Sequence, residues 1–320
     1  MKKKKKYFPI TLNSSKPFNH FLEKKNYSKI ILLFMVVFSS VMLNQIFAQE
    51  IDPIKLSWLG DNAPVLSTGV SWGVPLTEGK YDTTYHYSLK NENGKYFPAQ
   101  SWPLAYWPDG SIKWIGLSAA VDSNAGSEFE LEISNQGSKV YIKNKIDISI
   151  NNDFININTG PLQCKIPQRG KELISSIKLN EKEISSSAKL ISIVQNGPAN
   201  EYGTQPLKEL FTGNIDDVIV EQNGPVRAVI KIEGTHVSET TSRTLLPFIV
   251  RLYFYSGIES IRMVHTFIYD GDQEKDFIRG LGLVFDVPLD EQLYNRHIRL
   301  SSKKGGLFDE PCEPLNGRIP

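Results

Sequence analysis

From about residue 54 onward, apolar and β-branched residues recur at every second position, and no long segment carries a 3.6-residue period. A period of two puts successive side chains on opposite faces of an extended strand, so the chain is committed to sheets with one buried face. Val140, Ile142, Ile146, Ile148 and Ile150 keep one register through Lys139–Ile150, and Asp153–Thr159 follows the Asn151-Asn152 turn. Val226–Glu233, Arg243–Tyr255, Ser260–Tyr269 and Leu281–Val287 read as further strands. Asn93-Gly94, Asp109-Gly110, Asn196-Gly197-Pro198, Asn223-Gly224-Pro225 and Asp270-Gly271 supply the turns. Many strands with frequent turns predict an all-β protein of sandwiches or barrels.

The N-terminus follows other rules. Lys2–Lys6 is a run of five lysines, and the uncharged apolar stretch Ile30–Met42 follows it. A basic segment, a short apolar run and a small residue at Ala48 describe a cleavable secretory signal over residues 1–48. The apolar run is short for a spanning helix, which needs ~20 residues. The expected location is therefore periplasmic or extracellular, with no stable membrane anchor after cleavage. Residues 1–48 hold nine Lys and one Glu of the 36 basic and 35 acidic residues, so 27 and 34 remain, a net of −7. That balance argues against nucleic acid as a partner.

All five tryptophans fall before Ile133, and the polar run Ser134–Ser138 separates that part from a tryptophan-free remainder. Two units are expected, 49–135 and 139–320. Cys164 and Cys312 could pair in an oxidising compartment, but their spacing does not decide it. No metal-ligand spacing of the zinc type occurs.

Two segments can carry chemistry. Trp102-Pro-Leu-Ala-Tyr-Trp107-Pro-Asp-Gly-Ser-Ile-Lys113-Trp114 holds three tryptophans and a lysine around a Pro-Asp-Gly-Ser turn. Its rings either stack on sugar faces or fill the core of a small β domain. The second segment runs from Arg262 to Gly282. On a strand, His265 shares a face with Ile261, Met263, Phe267 and Tyr269, and a loop dense in charge separates it from Arg279. Histidine or tyrosine can remove a proton alpha to a carboxylate, and the arginine fork binds a carboxylate in two places. Asp270, Asp272, Glu274 and Asp276 invite a calcium reading. The EF-hand pattern fails because Leu281 stands where the bidentate glutamate belongs, so an acidic hairpin loop is expected. The sequence requires no cofactor, and calcium is the one ion it invites.

Several motifs taken in series resemble the exo-rhamnogalacturonan lyase family, polysaccharide lyase family 26. They are Trp107-Pro-Asp-Gly-Ser-Ile-Lys-Trp114, Asn223-Gly-Pro-Val-Arg-Ala228, His265-Thr-Phe-Ile-Tyr-Asp-Gly-Asp272 and Asp276-Phe-Ile-Arg-Gly-Leu-Gly-Leu283, then Asn295-Arg-His-Ile-Arg299 with Gly305-Gly-Leu-Phe308. The resemblance implies a RIFT-type β-barrel, a central β-sandwich and a C-terminal (α/α) toroid-like domain. This chain corresponds to the first two, with the sandwich expected to be truncated. The resemblance implies a pectic polysaccharide or oligosaccharide as partner and β-elimination as the reaction of the intact enzyme, with this chain alone inactive or nearly so. His265, Tyr269 and Arg279 become catalytic candidates, with proton transfer for His265 or Tyr269 and carboxylate binding for Arg279. Trp102, Trp107, Lys113 and Trp114 become substrate-binding candidates. The alternatives are a non-catalytic carbohydrate-binding β module and a truncated, inactive gene product.

Overall fold

The computed structural model describes residues 53–59, 63–137, 140–198, 205–301 and 307–311, and the side chains among them except those of 293, 297–301 and 307–311. The expected signal segment 1–48 and Cys312 lie outside the described residues.

The first seven strands form two antiparallel sheets. They are β1 (Ile54–Ser57), β2 (Thr68–Pro75), β3 (His86–Asn91), β4 (Tyr96–Phe97), β5 (Ala99–Tyr106), β6 (Ile112–Val121) and β7 (Glu128–Ser134). One sheet runs β1-β7-β3-β4 and the other β2-β6-β5. Both contribute to a single core around Leu89, Phe97, Ala119, Val121 and Phe129. Burying each large side chain there contributes ~1.5–3 kcal/mol. Trp58 and Trp72 pack against this core, and the Trp58 indole donates to the Gly126 carbonyl at 2.9 Å.

A second pair of sheets follows. β8 (Asp147–Ile150), β9 (Phe154–Asn158), β10 (Leu162–Pro167), β11 (Ser176–Leu179) and β12 (Lys182–Ser185) form a five-stranded sheet in the order β12-β11-β10-β9-β8. β13 (Ser187–Gln195), β14 (Lys208–Asn223), β15 (Arg227–Ser238), β16 (Thr244–Tyr255), β17 (Arg262–Phe267) and β18 (Phe277–Asp286) form a six-stranded one, ordered β17-β16-β15-β14-β13-β18. The sheets meet over Ile155, Ile157, Cys164 and Ile166 from one side and Ile230, Ile232, Val250, Leu252 and Phe254 from the other. A short 3-10 turn, Leu293–Asn295, leads to the pair β19 (His297–Ser301) and β20 (Leu307–Pro311).

The all-β expectation holds, with two local corrections. Residues 140–146 form no strand, although their alternation predicts one. Ile142 instead packs against Ala120, Val226, Tyr255 and Ile258, and the Ile146 amide donates to the Pro225 carbonyl at 3.1 Å. Connecting the two pairs of sheets satisfies the same apolar positions that a strand would. The acidic segment 268–276 is no hairpin loop either. β17 and β18 sit at opposite edges of the six-stranded sheet, and the segment crosses between them.

The two pairs of sheets abut at a built junction. The Gln100 carboxamide oxygen of β5 accepts the amides of Val226 and Arg227 at 3.1 and 2.9 Å. Val226 stands just before β15 and Arg227 opens it, and their amides need acceptors when buried. The Tyr255 hydroxyl lies 3.3 Å from the Ser71 hydroxyl, which in turn donates to Ser118 at 3.1 Å.

Candidate functional site

Register places Trp102 opposite Gly116, and Gly116 opposite Gly73, across the three strands of the β2-β6-β5 sheet. The Trp102 indole covers Gly116 so closely that a Cβ there would stand 2.5 Å from the ring. Trp114 lies two residues before Gly116 and so shares its face. Trp114 stays partly exposed, as do Leu104 and Tyr106. Trp102 thus lies on Gly116, while Trp114 and Leu104 border Gly73.

Beyond Trp102, the face meets the sandwich at an arginine. The Arg227 guanidinium carbon lies 4.9 Å from the Trp102 ring centroid and 5.1 Å from that of Tyr253. Arg262 also stands over the Tyr253 ring, 5.4 Å from its centroid. Cations above aromatic faces are held by the ring quadrupole, at ~0.5–2 kcal/mol each. Aromatic faces accept no strong hydrogen bonds, however, and the Arg227 Nε is buried without a hydrogen-bond partner. Arg251, in the same sheet, is already taken: its Nε and one terminal nitrogen each lie 2.8 Å from the Glu221 carboxylate. That pairing holds the Glu221 carboxyl below its usual range, with smaller help from Lys231 and Arg227. Arg227 therefore places positive charge beside the rings, with an Nε that no described group satisfies. This arrangement suits a sugar that bears a carboxylate.

The remaining members of the tryptophan segment turn elsewhere. The Trp107 indole donates to the Leu76 carbonyl at 3.0 Å, and Lys113 Nζ sits 4.4 Å above the Trp107 ring. Both hold the turn between β5 and β6, where the Trp107 amide donates to the Ser111 carbonyl at 2.8 Å. Of the four binding candidates, Trp102 and Trp114 share one face, while Trp107 and Lys113 pair with each other.

The three catalytic candidates are not brought to one point. His265 lies on β17 and Arg279 on β18, the two edges of the six-stranded sheet. Five strand spacings separate them, roughly 24 Å along the sheet. His265 is half-buried on the core-facing side, and its Nε2 is buried without a partner. Its ring centroid lies 6.4 Å from those of His236 and Phe248. Burial, and secondarily the His236 charge, pushes its pKa down. Tyr269 donates its hydroxyl to the Asp276 carbonyl at 2.8 Å. Desolvation, with the Asp276 and Asp272 carboxylates, pushes the phenol up, away from the deprotonated form a base would need. Arg279 is exposed.

The acidic loop is occupied by its own chain. Asp270 accepts the Leu246 amide at 2.7 Å, Asp276 accepts the Asp272 amide at 2.9 Å and pairs with Arg243, and Asp272 pairs with Lys275 at 3.0 Å. Among the described residues, no group of three or more His, Cys, Asp or Glu is placed to hold a metal ion.

Sequence reasoning did not single out Arg227 and Tyr253 as candidate site residues. Arg227 stands inside the Asn223–Ala228 motif, and its position just after Gly-Pro at the start of a strand is the one signal it gives.

Comparison with known proteins assigns both halves. Residues 52–134 match the PcRGLX-like N-terminal RIFT barrel domain. Residues 146–319 match the PcRGLX-like protein central beta sandwich domain. The chain is 35% identical over 264 residues to a relative named "Uncharacterized protein YetA", from Bacillus subtilis (strain 168). That alignment covers 82% of this chain and 30% of the relative, so the chain spans less than a third of its relative's length.

Proposed function

The chain belongs to the PcRGLX-like family, and from that premise we propose that it is the N-terminal β portion of a secreted protein acting on pectin by β-elimination. In that reaction a base takes the proton alpha to the uronate carboxylate, a cation stabilises the enolate, and the bond to the leaving sugar oxygen breaks as that oxygen regains a proton. The role proposed for this portion is to bind the pectic chain. Arg227 takes a galacturonate carboxylate, and the Trp102–Trp114 face takes the adjoining sugar ring. The observation that carries the reading is the Arg227 guanidinium, held between two rings with its Nε buried and unpaired.

A second reading is a carbohydrate-binding β module with no chemistry of its own. It is favoured by the separation of His265 from Arg279 across the sheet. One experiment addresses both. The chain is titrated calorimetrically with rhamnogalacturonan oligosaccharides, and the same mixtures are followed by the ultraviolet absorbance of the unsaturated uronide. Binding without turnover supports the module, and turnover supports chemistry within these residues. Arg227→Gln should weaken binding by about tenfold or more, as the loss of a charge-assisted hydrogen bond requires. No binding by the parent chain, or full binding by Arg227→Gln, would sink the proposed site.

A further inference from the structure

An antiparallel sheet with one wet face carries polar residues on that face. The outer face of β13 and β18 departs from this. Leu190 and Leu283 stand opposite each other and point into the core, so their neighbours point out. The outward pairs are Ile193 with Gly280, Ile191 with Gly282 and Lys189 with Val284. Leu210 of β14 adjoins Ile193 on the same face. Ile191 and Ile193 are half-buried, and Leu210 and Val284 are exposed. β14 follows β13 only as far as Ile191, so Lys189 stands at the rim of this apolar patch.

Gly282 is bare. Glycines inside the other strands are covered by their own chain: Tyr255 lies over Gly69, Trp102 over Gly116, and Phe248 over Gly213 and Gly234. A Cβ on Gly280 would meet Ile193 at 3.6 Å, whereas a Cβ on Gly282 would meet nothing within 4 Å. The φ of Gly282 is not left-handed, and the register shift of β18 lies at Arg279, away from it. A strand glycine marks a bulge, a bend or the close approach of another body. The regular geometry here leaves the third.

The face is complementary to itself. Bare Gly282 is a hole, and exposed Val284, two residues on, is a knob. Two such faces can stack with antiparallel strands about a two-fold axis level with Leu283. Val284 of each copy then enters the gap over Gly282 of the other. The strand ends agree with that direction. Arg279 and Asp286 are exposed at opposite ends of β18, and among the described residues neither forms an ion pair. Antiparallel stacking brings Arg279 of each copy to Asp286 of the other, whereas parallel stacking would set like charges together and valine on valine. Three strands at ~4.8 Å and eight residues at ~3.4 Å give a face of about 14 by 27 Å, small beside the ~800 Å² a side of a standard interface. Such a contact is reversible.

We propose that the outer face of β13 and β18 joins two copies of this chain in a weak two-fold dimer, with Val284 of one seated on Gly282 of the other. The dimer does not rest on the pectin-binding reading, which uses a different face.

Sedimentation velocity on the whole chain should show a monomer at about 1 μM and a shift toward dimer by about 200 μM. Gly282→Val fills the gap with atoms that have free space within one copy. Its melting should match or exceed that of the parent, while its dimer should dissociate at least about tenfold more readily. Arg279→Glu should weaken the dimer by a similar factor, and Arg279→Glu/Asp286→Arg should recover it. Hydrogen exchange in β13 and β18 of the parent should slow as concentration rises, which decides the matter even if a variant folds poorly. A parent that stays monomeric, a Gly282→Val protein that dimerises as the parent does, or a charge-exchanged protein no better than Arg279→Glu would each overturn the proposal. So would dimerisation that leaves exchange in β13 and β18 unchanged, since the contact would then lie on another face.

Discussion

Tyr255 fills the space above Gly69: a Cβ on Gly69 would stand 1.9 Å from Cγ of the Tyr255 ring. The contact joins β2 of the barrel to the end of β16 of the sandwich, and the ring is almost wholly buried. Glycine is required at this position by the ring above it. Gly69→Ala must displace the tyrosine or part the sheets, an overpacking cost of about 1–3 kcal/mol. The melting temperature should fall by at least about 2 °C. Tyr255→Phe removes only a 3.3 Å contact with Ser71 and should cost less. Differential scanning calorimetry ranks the two. A Gly69→Ala protein that melts with the parent would show that the ring is not seated there.

His236 predicts how stability responds to acid. It is fully buried, and its Nδ1 lies 2.7 Å from the Leu246 carbonyl. Burial pushes its pKa below the usual value of 6.5, and the Leu246 contact restores only part. His265 is lowered in the same sense. Unfolded imidazoles take up a proton near pH 6.5, whereas the folded ones resist it. The unfolded state therefore binds more protons below that pH, and stability drops as pH falls from about 6.5 toward the lowered folded value. Glu209, held low chiefly by its bond from Ser238, adds a separate loss that begins only near the usual carboxylate range. Melting followed from pH 7.5 to about pH 5 should show a decline that flattens in His236→Phe. A slope unchanged by that substitution would place the effect elsewhere.

What was legible in the sequence follows from distance along the chain. The turn after Tyr106 and the alternation around His265 are local; the turn stands where the residues put it, and β17 keeps Met263, His265 and Phe267 on one face but ends at Phe267, leaving Tyr269 outside the strand. Sheet order is not local. The segment 268–276 is short and ends in turn residues, so it reads as a hairpin. Yet β18 finds its partner in β13, pairing Phe277 with Gln195 and Asp286 with Ser187. No periodicity records that choice. The Trp102–Arg227 contact is hidden for the same reason, since the two residues stand on different domains, whose junction includes the Gln100 clamp on β15. The family resemblance reached the fold because motif order survives in the sequence; it did not reach this contact.

Cys164 should be chemically silent. It is a free thiol buried between the two sheets of the sandwich. Desolvation pushes its pKa far up, so almost no thiolate exists at neutral pH. Only the thiolate attacks alkylating reagents. Iodoacetamide mapping of the native protein should leave the Cys164 peptide unmodified, and the same treatment in guanidinium should label it fully. Rapid native labelling would mean that the sandwich opens often enough to expose its core.

Tyr269 and Arg243 hold one loop from two sides, and their variants should separate structure from chemistry. The Asp276 carboxylate is nearly buried, pairs with Arg243 and accepts the Asp272 amide, while its own carbonyl accepts the Tyr269 hydroxyl. Arg243 also pairs with Glu209 at 3.3 Å and lies over the Phe211 ring. Arg243→Ala leaves a buried carboxylate without its cation, at a cost of about 1–3 kcal/mol. Asp276→Asn should cost less, because an amide oxygen can still accept the Asp272 amide. Tyr269→Phe loses one partly exposed hydrogen bond and should cost least. Urea melts test that order. If Tyr269 holds the loop, Tyr269→Phe changes the melt slightly and leaves oligosaccharide binding and any eliminase activity intact. If Tyr269 is the base, turnover of rhamnogalacturonan by a protein that includes this chain falls by orders of magnitude while the melt scarcely moves. The upward push on its phenol and its bond to the Asp276 carbonyl favour the first outcome.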